Sequence, residues 1–234
     1  MEELSPNHVL LERMARRIRP LLDEVVFVGG QIVELLLTDP AATRIRATTD
    51  VDVVVTASTR SEYRQVERRL AALGFENDQR EGAPICRWRN ASGDILDVMP
   101  VDAAILGFSN EWYPAAVAGA EEYQLHQDLV IRIPTPGVFL ATKLAAYRSR
   151  GSDDILLSHD LEDIITLVAG RSEILDELRH GPEDLRVWVV KAMRNLLTEA
   201  DFSYALQGAL PDAARLPGYR QTVRARFEAI AALT

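Results

Sequence analysis

Val25-Val26-Phe27-Val28-Gly29-Gly30 is an apolar strand that ends in a glycine turn. After one short helix comes a second apolar strand, Thr48-Thr49-Asp50-Val51-Asp52-Val53-Val54-Val55, which carries two carboxylates. Alternate residues of a strand lie on the same face, so Asp50 and Asp52 are predicted to point the same way. Two neighbouring carboxylates repel each other unless a cation lies between them. Because Mg2+ prefers such oxygen ligands together with substrate phosphates, the pair predicts half of a metal site.

A third carboxylate is predicted from Asp94-Ile95-Leu96-Asp97-Val98-Met99. Asp97 stands between Leu96 and Val98, and a carboxylate inside an apolar strand is costly unless it is paired or bound to a metal. Asp94 follows the turn signal Asn90-Ala91-Ser92-Gly93 and is more easily accommodated as a turn residue. We therefore assign the third carboxylate to Asp97 rather than Asp94.

Strand and helix patterns divide the 234-residue chain into two halves. The first half alternates strands with helices and ends in a hairpin, Ile85–Arg89 and Ile95–Met99, which is typical of a small mixed α/β sheet. After Pro134-Thr135-Pro136-Gly137 the pattern is helical almost to the end. We predict an α/β (α+β) fold whose domains are residues 1–134, with an N-terminal helix and a mixed sheet, and a helical domain, 135–234.

Composition restricts the class of protein. A hydrophobic content of 47% and a charged content of 26% are ordinary for a folded soluble protein. The sequence lacks an apolar run of about 18 residues, so no membrane partner is expected, and the acidic N-terminus does not resemble a signal peptide. The single cysteine, Cys86, agrees with a reducing, cytoplasmic location. A net charge of −9 argues against broad electrostatic binding of nucleic acids, although a local basic groove stays compatible with it.

In their order along the chain, the glycine pair, Asp50-x-Asp52 and the apolar strand around Asp97 resemble the DNA polymerase β-like nucleotidyltransferases. The second half narrows the resemblance. The segment from Thr135 to Arg148, with Lys143 on its helix, and Ser158-His159-Asp160-Leu161-Glu162-Asp163-Ile164-Ile165 are similar to signatures of the abortive-infection (AbiEii/MenT-like) nucleotidyltransferase toxins. The chain departs from the family pattern at Gln31, where a small hydroxyl residue is common, and at His159, where a lysine or arginine is usual.

The resemblance implies a role for each matching residue. Gly29 and Gly30 would let the backbone approach nucleotide phosphates. The three aspartates would bind Mg2+, with Mn2+ as a substitute, and Asp97 would help to deprotonate the acceptor hydroxyl. In the helical half, Lys143 would neutralise the triphosphate across a cleft. Arg148 would lie near the nucleotide. Either Asp160 or Asp163 would be a later active-site carboxylate.

Each of these residues also has a simpler interpretation. Asp50 and Asp52 could merely solvate one face of an edge strand. Lys143 could be a solvated helix lysine. In the functional interpretation it lies at the nucleotide cleft, where its head group is expected to contribute little to packing. Asp160 and Asp163 could form an exposed charge pair or a salt bridge to Arg148.

The function implied is Mg2+-dependent transfer of a nucleoside monophosphate from an NTP to an acceptor hydroxyl. Toxin-like relatives imply tRNA or another RNA as the acceptor, and a cognate antitoxin as a further partner. Aminoglycoside- or lincosamide-modifying relatives imply a small-molecule acceptor. The alternative from another class is a non-catalytic nucleotide- or partner-binding module on the same fold, against which the three intact aspartates argue.

Overall fold

The computed structural model describes residues 4–39, 45–150, 155–210 and 218–234. Its backbone contacts divide the chain into two compact units. The first unit contains Met1–Ile32 and Ala47–Thr135, and the second contains Val33–Arg46 and Pro136–Thr234. Within the described ranges, no helix is both long enough and apolar enough to cross a membrane.

The first unit is built on a mixed sheet. Its elements are α1 (Pro6–Arg17), a 3-10 helix (Arg19–Glu24), β1 (Val25–Phe27), β2 (Asp50–Val55), α2 (Arg60–Ala72), β3 (Phe75–Asn77), β4 (Arg87–Asn90), β5 (Ile95–Pro100), α3 (Ala103–Leu106), α4 (Tyr113–Ala118), β6 (Glu121–His126) and β7 (Leu129–Ile133). Among the described residues the main sheet has five strands in the order β1-β2-β5-β4-β3, and β6 and β7 form a separate two-stranded sheet. Only β2 and β5 are parallel neighbours in the main sheet.

The sheet is stabilised by burial of its central strands. Val51, Val53, Val54 and Val55 of β2 are each at most 1% exposed. On β5 the residues from Leu96 to Pro100 are all buried. β-branched and apolar side chains pack well on a pleated surface covered from both sides, which favours strand over helix here.

A tight hairpin sets the pairing of β4 with β5. Gly93 has φ +86°, a conformation that favours glycine, and the Asn90 side chain accepts hydrogen bonds from the backbone N–H of Ser92 (2.9 Å) and Asp94 (3.0 Å). The resulting register places Arg87 opposite Asp97.

The second unit is helical. A 3-10 helix, Gly30–Leu36, enters it from the first unit, at a position where the sequence favours an α-helix over Gln31–Leu37. The other elements are α5 (Pro136–Arg150), a 3-10 helix (Ile155–Leu157), α6 (His159–Gly170), α7 (Ile174–His180), α8 (Glu183–Leu197), α9 (Phe202–Ala209) and α10 (Tyr219–Ala231). The fold-class prediction, a mixed α/β protein with a small mixed sheet followed by a helical C-terminal half, is confirmed.

Candidate functional site

The three aspartates predicted from the sequence share one face of the main sheet. Asp52 of β2 is paired in register with Asp97 of the parallel strand β5, and Asp50 lies two residues before Asp52. Paired residues of adjacent strands project to the same side, as do residues two apart. Asp97 is only 7% exposed, whereas the Asp50 side chain is 33% exposed. The cluster therefore lies at the start of β2, with its third member nearly buried.

The glycine turn lies directly against this cluster. The backbone N–H of Val28 donates to the Asp52 carbonyl at 2.9 Å, which places Gly29 beside β2. Gly29 has φ +83°, and a Cβ atom there would overlap Asp52 Oδ2 and lie 2.7 Å from Asp52 Cγ. The close approach of backbone to carboxylate requires glycine for both reasons.

The Gln31 side chain links the glycine turn to β2. Its side chain is fully buried, and its Nε2 donates to the carbonyls of Val28 (2.8 Å) and Asp52 (3.2 Å). Because Nε2 has two acceptors, the orientation of the amide is defined. Among the described residues no donor reaches Gln31 Oε1, which is buried. That oxygen lies 2.7 Å from the position of a Gly29 Cβ, on the side where Asp52 Oδ2 also lies.

Arg87 of β4 joins two of the aspartates. Its Nε donates to Asp97 Oδ1 at 2.8 Å, and its Nη2 donates to Asp97 Oδ2 at 2.7 Å and to Asp50 Oδ2 at 3.1 Å. Hydrogen bonding to Asp97, followed by the charges of Asp97 and Asp50, raises the pKa of Arg87, so the guanidinium stays charged. One fork-shaped cation thus neutralises Asp97 and part of the charge on Asp50.

The donor set fits Mg2+, but its arrangement includes Arg87. Three carboxylates on one sheet face, with the Gln31 amide oxygen nearby, supply the oxygen ligands that Mg2+ prefers. In the described part of the chain, however, no three His, Cys, Asp or Glu side chains are arranged to hold a metal ion. The residues that would hold the metal are Asp50, Asp52 and Asp97, and Arg87 Nη2 already contacts the first and the third of them. A metal there would compete with Arg87 for these oxygens.

The second unit contains a separate cluster of charges between α5 and α6. Lys143 Nζ lies 2.7 Å from Asp163 Oδ2 and 3.3 Å from Asp160 Oδ1. Lys143 is 8% exposed and Asp163 is 3% exposed. Arg150 reaches Asp160 Oδ2 at 3.0 Å, and Arg46 reaches Asp163 Oδ1 at 3.7 Å. Lys143 is thus a buried ion-pair partner, which differs from the solvated lysine of the simpler interpretation.

Arg148 has another environment. Its guanidinium lies over the Trp188 ring, 5.4 Å from the ring centroid, in a cation–π contact. The partners of Asp160 and Asp163 given by the geometry are Lys143, Arg150 and Arg46. The catalytic and nucleotide-binding roles of Lys143, Arg148, Asp160 and Asp163 stay predictions.

Sequence reasoning missed Arg87 and gave Gln31 only as a departure from a pattern. A signal for Arg87 was present. With a three-residue loop from Ala91 to Gly93, counting back from the hairpin pairs Arg87 with Asp97. No local signal identifies Gln31, because its role depends on the position of β2 beside the turn.

The chain is similar to known proteins in structure only. No family model matches the chain, and no curated protein matches it. Among solved structures, an antigenic nucleotidyltransferase-like protein from Paracoccidioides brasiliensis matches with 19% identity and a TM-score of 0.47. The match covers 90% of this chain and 96% of that one. A similarity at this level assigns no reaction and no substrate, so the functional argument rests on the residues themselves.

Proposed function

We propose that the chain is a metal-dependent nucleotidyltransferase of the DNA polymerase β-like superfamily. It would transfer a nucleoside monophosphate from an NTP to an acceptor hydroxyl and release pyrophosphate. The observation that supports this most directly is the convergence of Asp50, Asp52 and Asp97 on one sheet face, against a glycine turn too close to Asp52 for any side chain.

Each residue has a part in this chemistry. Asp50, Asp52 and Asp97 would hold Mg2+, which supplies charge neutralisation for the attacking and leaving oxygens. The glycine turn would bring backbone N–H groups close to the nucleotide phosphates. Asp97, the least exposed of the three, is the candidate to accept the proton of the acceptor hydroxyl, which requires that hydroxyl within hydrogen-bond reach. Positioning and charge neutralisation provide most of the catalysis in phosphoryl transfer.

The acceptor, an antitoxin partner and a cytoplasmic location are proposed from the sequence alone. RNA as acceptor, and an antitoxin, rest on the toxin-like motifs around Lys143 and Asp160. The net charge of −9 favours a small-molecule acceptor. A non-catalytic nucleotide-binding module is the second candidate function, and one observation favours it: Arg87 already balances two of the carboxylates.

The test is transfer of label from α-phosphate-labelled NTPs. The protein is incubated with each NTP and Mg2+ or Mn2+, in one arm with total RNA and in another with an aminoglycoside and lincosamide panel. We expect label in one arm, and Asp52→Asn should reduce it by about two orders of magnitude or more while the fold is retained. Asp94→Asn is the control, because Asp94 lies outside the cluster, where it pairs with Arg13. Binding of NTP without transfer in any arm would favour the non-catalytic module.

A further inference from the structure

Arg87 bridges two of the three aspartates of the proposed metal site. Its Nη2 bridges two carboxylates, at 2.7 Å from Asp97 Oδ2 and 3.1 Å from Asp50 Oδ2, and its Nε takes the second oxygen of Asp97 at 2.8 Å. Both oxygens of Asp97 are therefore engaged by one guanidinium. An ion that binds Asp97 directly must share an oxygen with this guanidinium or replace one of its hydrogen bonds.

The strand register holds Arg87 in this place. The residue faces Asp97 across the β4–β5 ladder, and its side chain is 21% exposed. Its charge is permanent, so it repels a divalent cation at close range in a partly buried site, where electrostatic interactions are weakly screened. Because the Arg87 side chain is partly exposed, it can turn towards solvent when a metal ion binds Asp50 and Asp97.

The opposite side of the cluster carries an acceptor that is not satisfied. Gln31 Oε1 is buried and has no donor among the described residues, and it lies beside Gly29 on the side of Asp52 Oδ2. A buried acceptor without a donor is expected where a cation or a hydrogen-bond donor is bound. This observation is independent of the aspartates' sequence pattern, and it agrees with a cation as the ligand of the cluster.

We propose that Arg87 is an internal counter-ion that competes with a divalent cation for Asp50 and Asp97. Without metal, its guanidinium keeps the carboxylates of Asp97 and Asp50 paired. Binding of the metal releases Arg87 from both aspartates. The inference rests on the proposed function, because it assumes that the aspartate cluster is a metal site.

The decisive experiment measures Mn2+ binding to the full chain, by the loss of the free Mn2+ EPR signal. The variants are Arg87→Met, which keeps the aliphatic stem, and Arg13→Met, which removes the matched Arg13–Asp94 pair outside the cluster. Competition predicts that Arg87→Met binds Mn2+ about ten-fold more tightly than the wild type. Arg13→Met should bind as the wild type does. Equal or weaker binding by Arg87→Met would overturn the proposal and make Arg87 a residue that positions Asp97 for the metal.

Loss of Arg87 leaves Asp97 buried without its cation, and the variant can fail to fold for that reason. A second measurement therefore uses the wild-type chain. The Nε–Hε resonance of Arg87, assigned by its absence in Arg87→Lys, is followed in 15N-arginine-labelled protein during a Mg2+ titration. Competition predicts that it moves to the position of solvent-exposed arginines as Mg2+ binds. A resonance that stays in place while Mg2+ saturates the protein contradicts it.

The outcomes separate the inference from the function on which it rests. If wild type binds Mn2+, Asp97→Asn abolishes binding and Arg87→Met fails to strengthen it, the inference is wrong and the metal site stands. If neither the wild type nor Arg87→Met binds Mn2+, both are wrong.

Discussion

Gly29 is the single residue on which the closeness of the turn to the aspartates depends most directly. Its φ of +83° costs an alanine roughly 1–2 kcal/mol. An alanine Cβ would in addition overlap Asp52 Oδ2, and overpacking of this kind costs about 1–3 kcal/mol more. We expect Gly29→Ala to lower the free energy of unfolding by both amounts and to displace the Asp52 carboxylate, with loss of nucleotidyl transfer.

The control for Gly29→Ala is Gly74→Ala. Gly74 has nearly the same φ, +84°, but open space where its Cβ would be. Urea unfolding of the two variants isolates the overlap, because the backbone cost is shared. Equal losses of stability would mean that the Asp52 side chain yields without cost, and that the close approach of turn and carboxylate is not a constraint.

At the scale of elements, Asp94 ties α1 to the β4–β5 hairpin. It is 8% exposed, and it accepts hydrogen bonds from Arg13 Nη2 at 2.7 Å and Asn90 Nδ2 at 2.9 Å. Burial alone would raise the pKa of Asp94, but the hydrogen bonds from Arg13 and Asn90 and the charges of Arg13 and Arg17 outweigh it, and the pKa is lowered.

A lowered pKa in the folded state fixes the sign of the pH dependence. The stabilisation by ionised Asp94 is present above the unfolded pKa of about 4, and is lost as the pH falls through the lower folded value. We therefore expect Asp94→Asn to be less stable than wild type at pH 7, and the difference in urea midpoint to shrink as the pH falls below about 4. A difference that is constant from pH 7 to pH 3 would show that the Asp94 charge contributes nothing.

The α5–α6 pair makes a second prediction at this scale, and it revises the expectation that Lys143 contributes little to packing. Replacing Lys143 by Met leaves Asp163 and Asp160 without the cation that contacts both. Removing one partner of a buried pair costs about 3–5 kcal/mol, so Lys143→Met should lower the melting temperature markedly. In the double variant with Asp163→Leu the buried carboxylate that has lost its nearer cation is gone, and part of the loss should be recovered.

The chain offers a matched control, since Lys191 of α8 is exposed. Lys191→Met is expected to melt like the wild type. If Lys143→Met also does so, the Lys143 ion pairs contribute nothing to stability, and a purely functional role for this lysine gains support.

For the whole molecule, local sequence patterns were sufficient to predict those features that depend on residues close together in the sequence. The strands of Val25–Val28 and Val51–Val55, the shared face of Asp50 and Asp52, and the choice of Asp97 over Asp94 as their neighbour all follow from alternation and turn chemistry. The contacts of Arg87 were not predicted, because they follow only when the hairpin register is combined with the position of a third strand, β2. The burial of Lys143 was not predicted, because it depends on which helices pack together, and the spacing of apolar residues along one helix does not show this.

The placement of Val33–Arg46 is also beyond local pattern, and it makes the last prediction. This segment precedes β2 in the chain, yet its described residues, 33–39, 45 and 46, belong to the helical unit. The backbone N–H groups of Thr38 and Asp39 donate to the Gly170 carbonyl, at 3.0 and 2.8 Å, and Arg171 Nη1 donates to the Leu36 carbonyl at 2.6 Å. A fragment of residues 136–234 therefore lacks partners for the C-terminal end of α6, and it should unfold at a lower temperature than the same helices in the full chain.

A synthetic peptide of residues 33–46, added to the 136–234 fragment, should restore part of the lost stability. The rise in melting temperature should increase with the logarithm of peptide concentration, since a ligand that binds only the folded state stabilises it by mass action. Circular dichroism at 222 nm during heating measures both quantities. A peptide with Thr38→Val and Arg46→Gln is the matched control, because it loses the hydrogen bond of Thr38 Oγ1 to Glu173 (2.7 Å) and the ion pair of Arg46 with Glu162 (3.3 Å). An equal melting temperature of the fragment with and without the native peptide would show that residues 33–46 do not stabilise the helical unit.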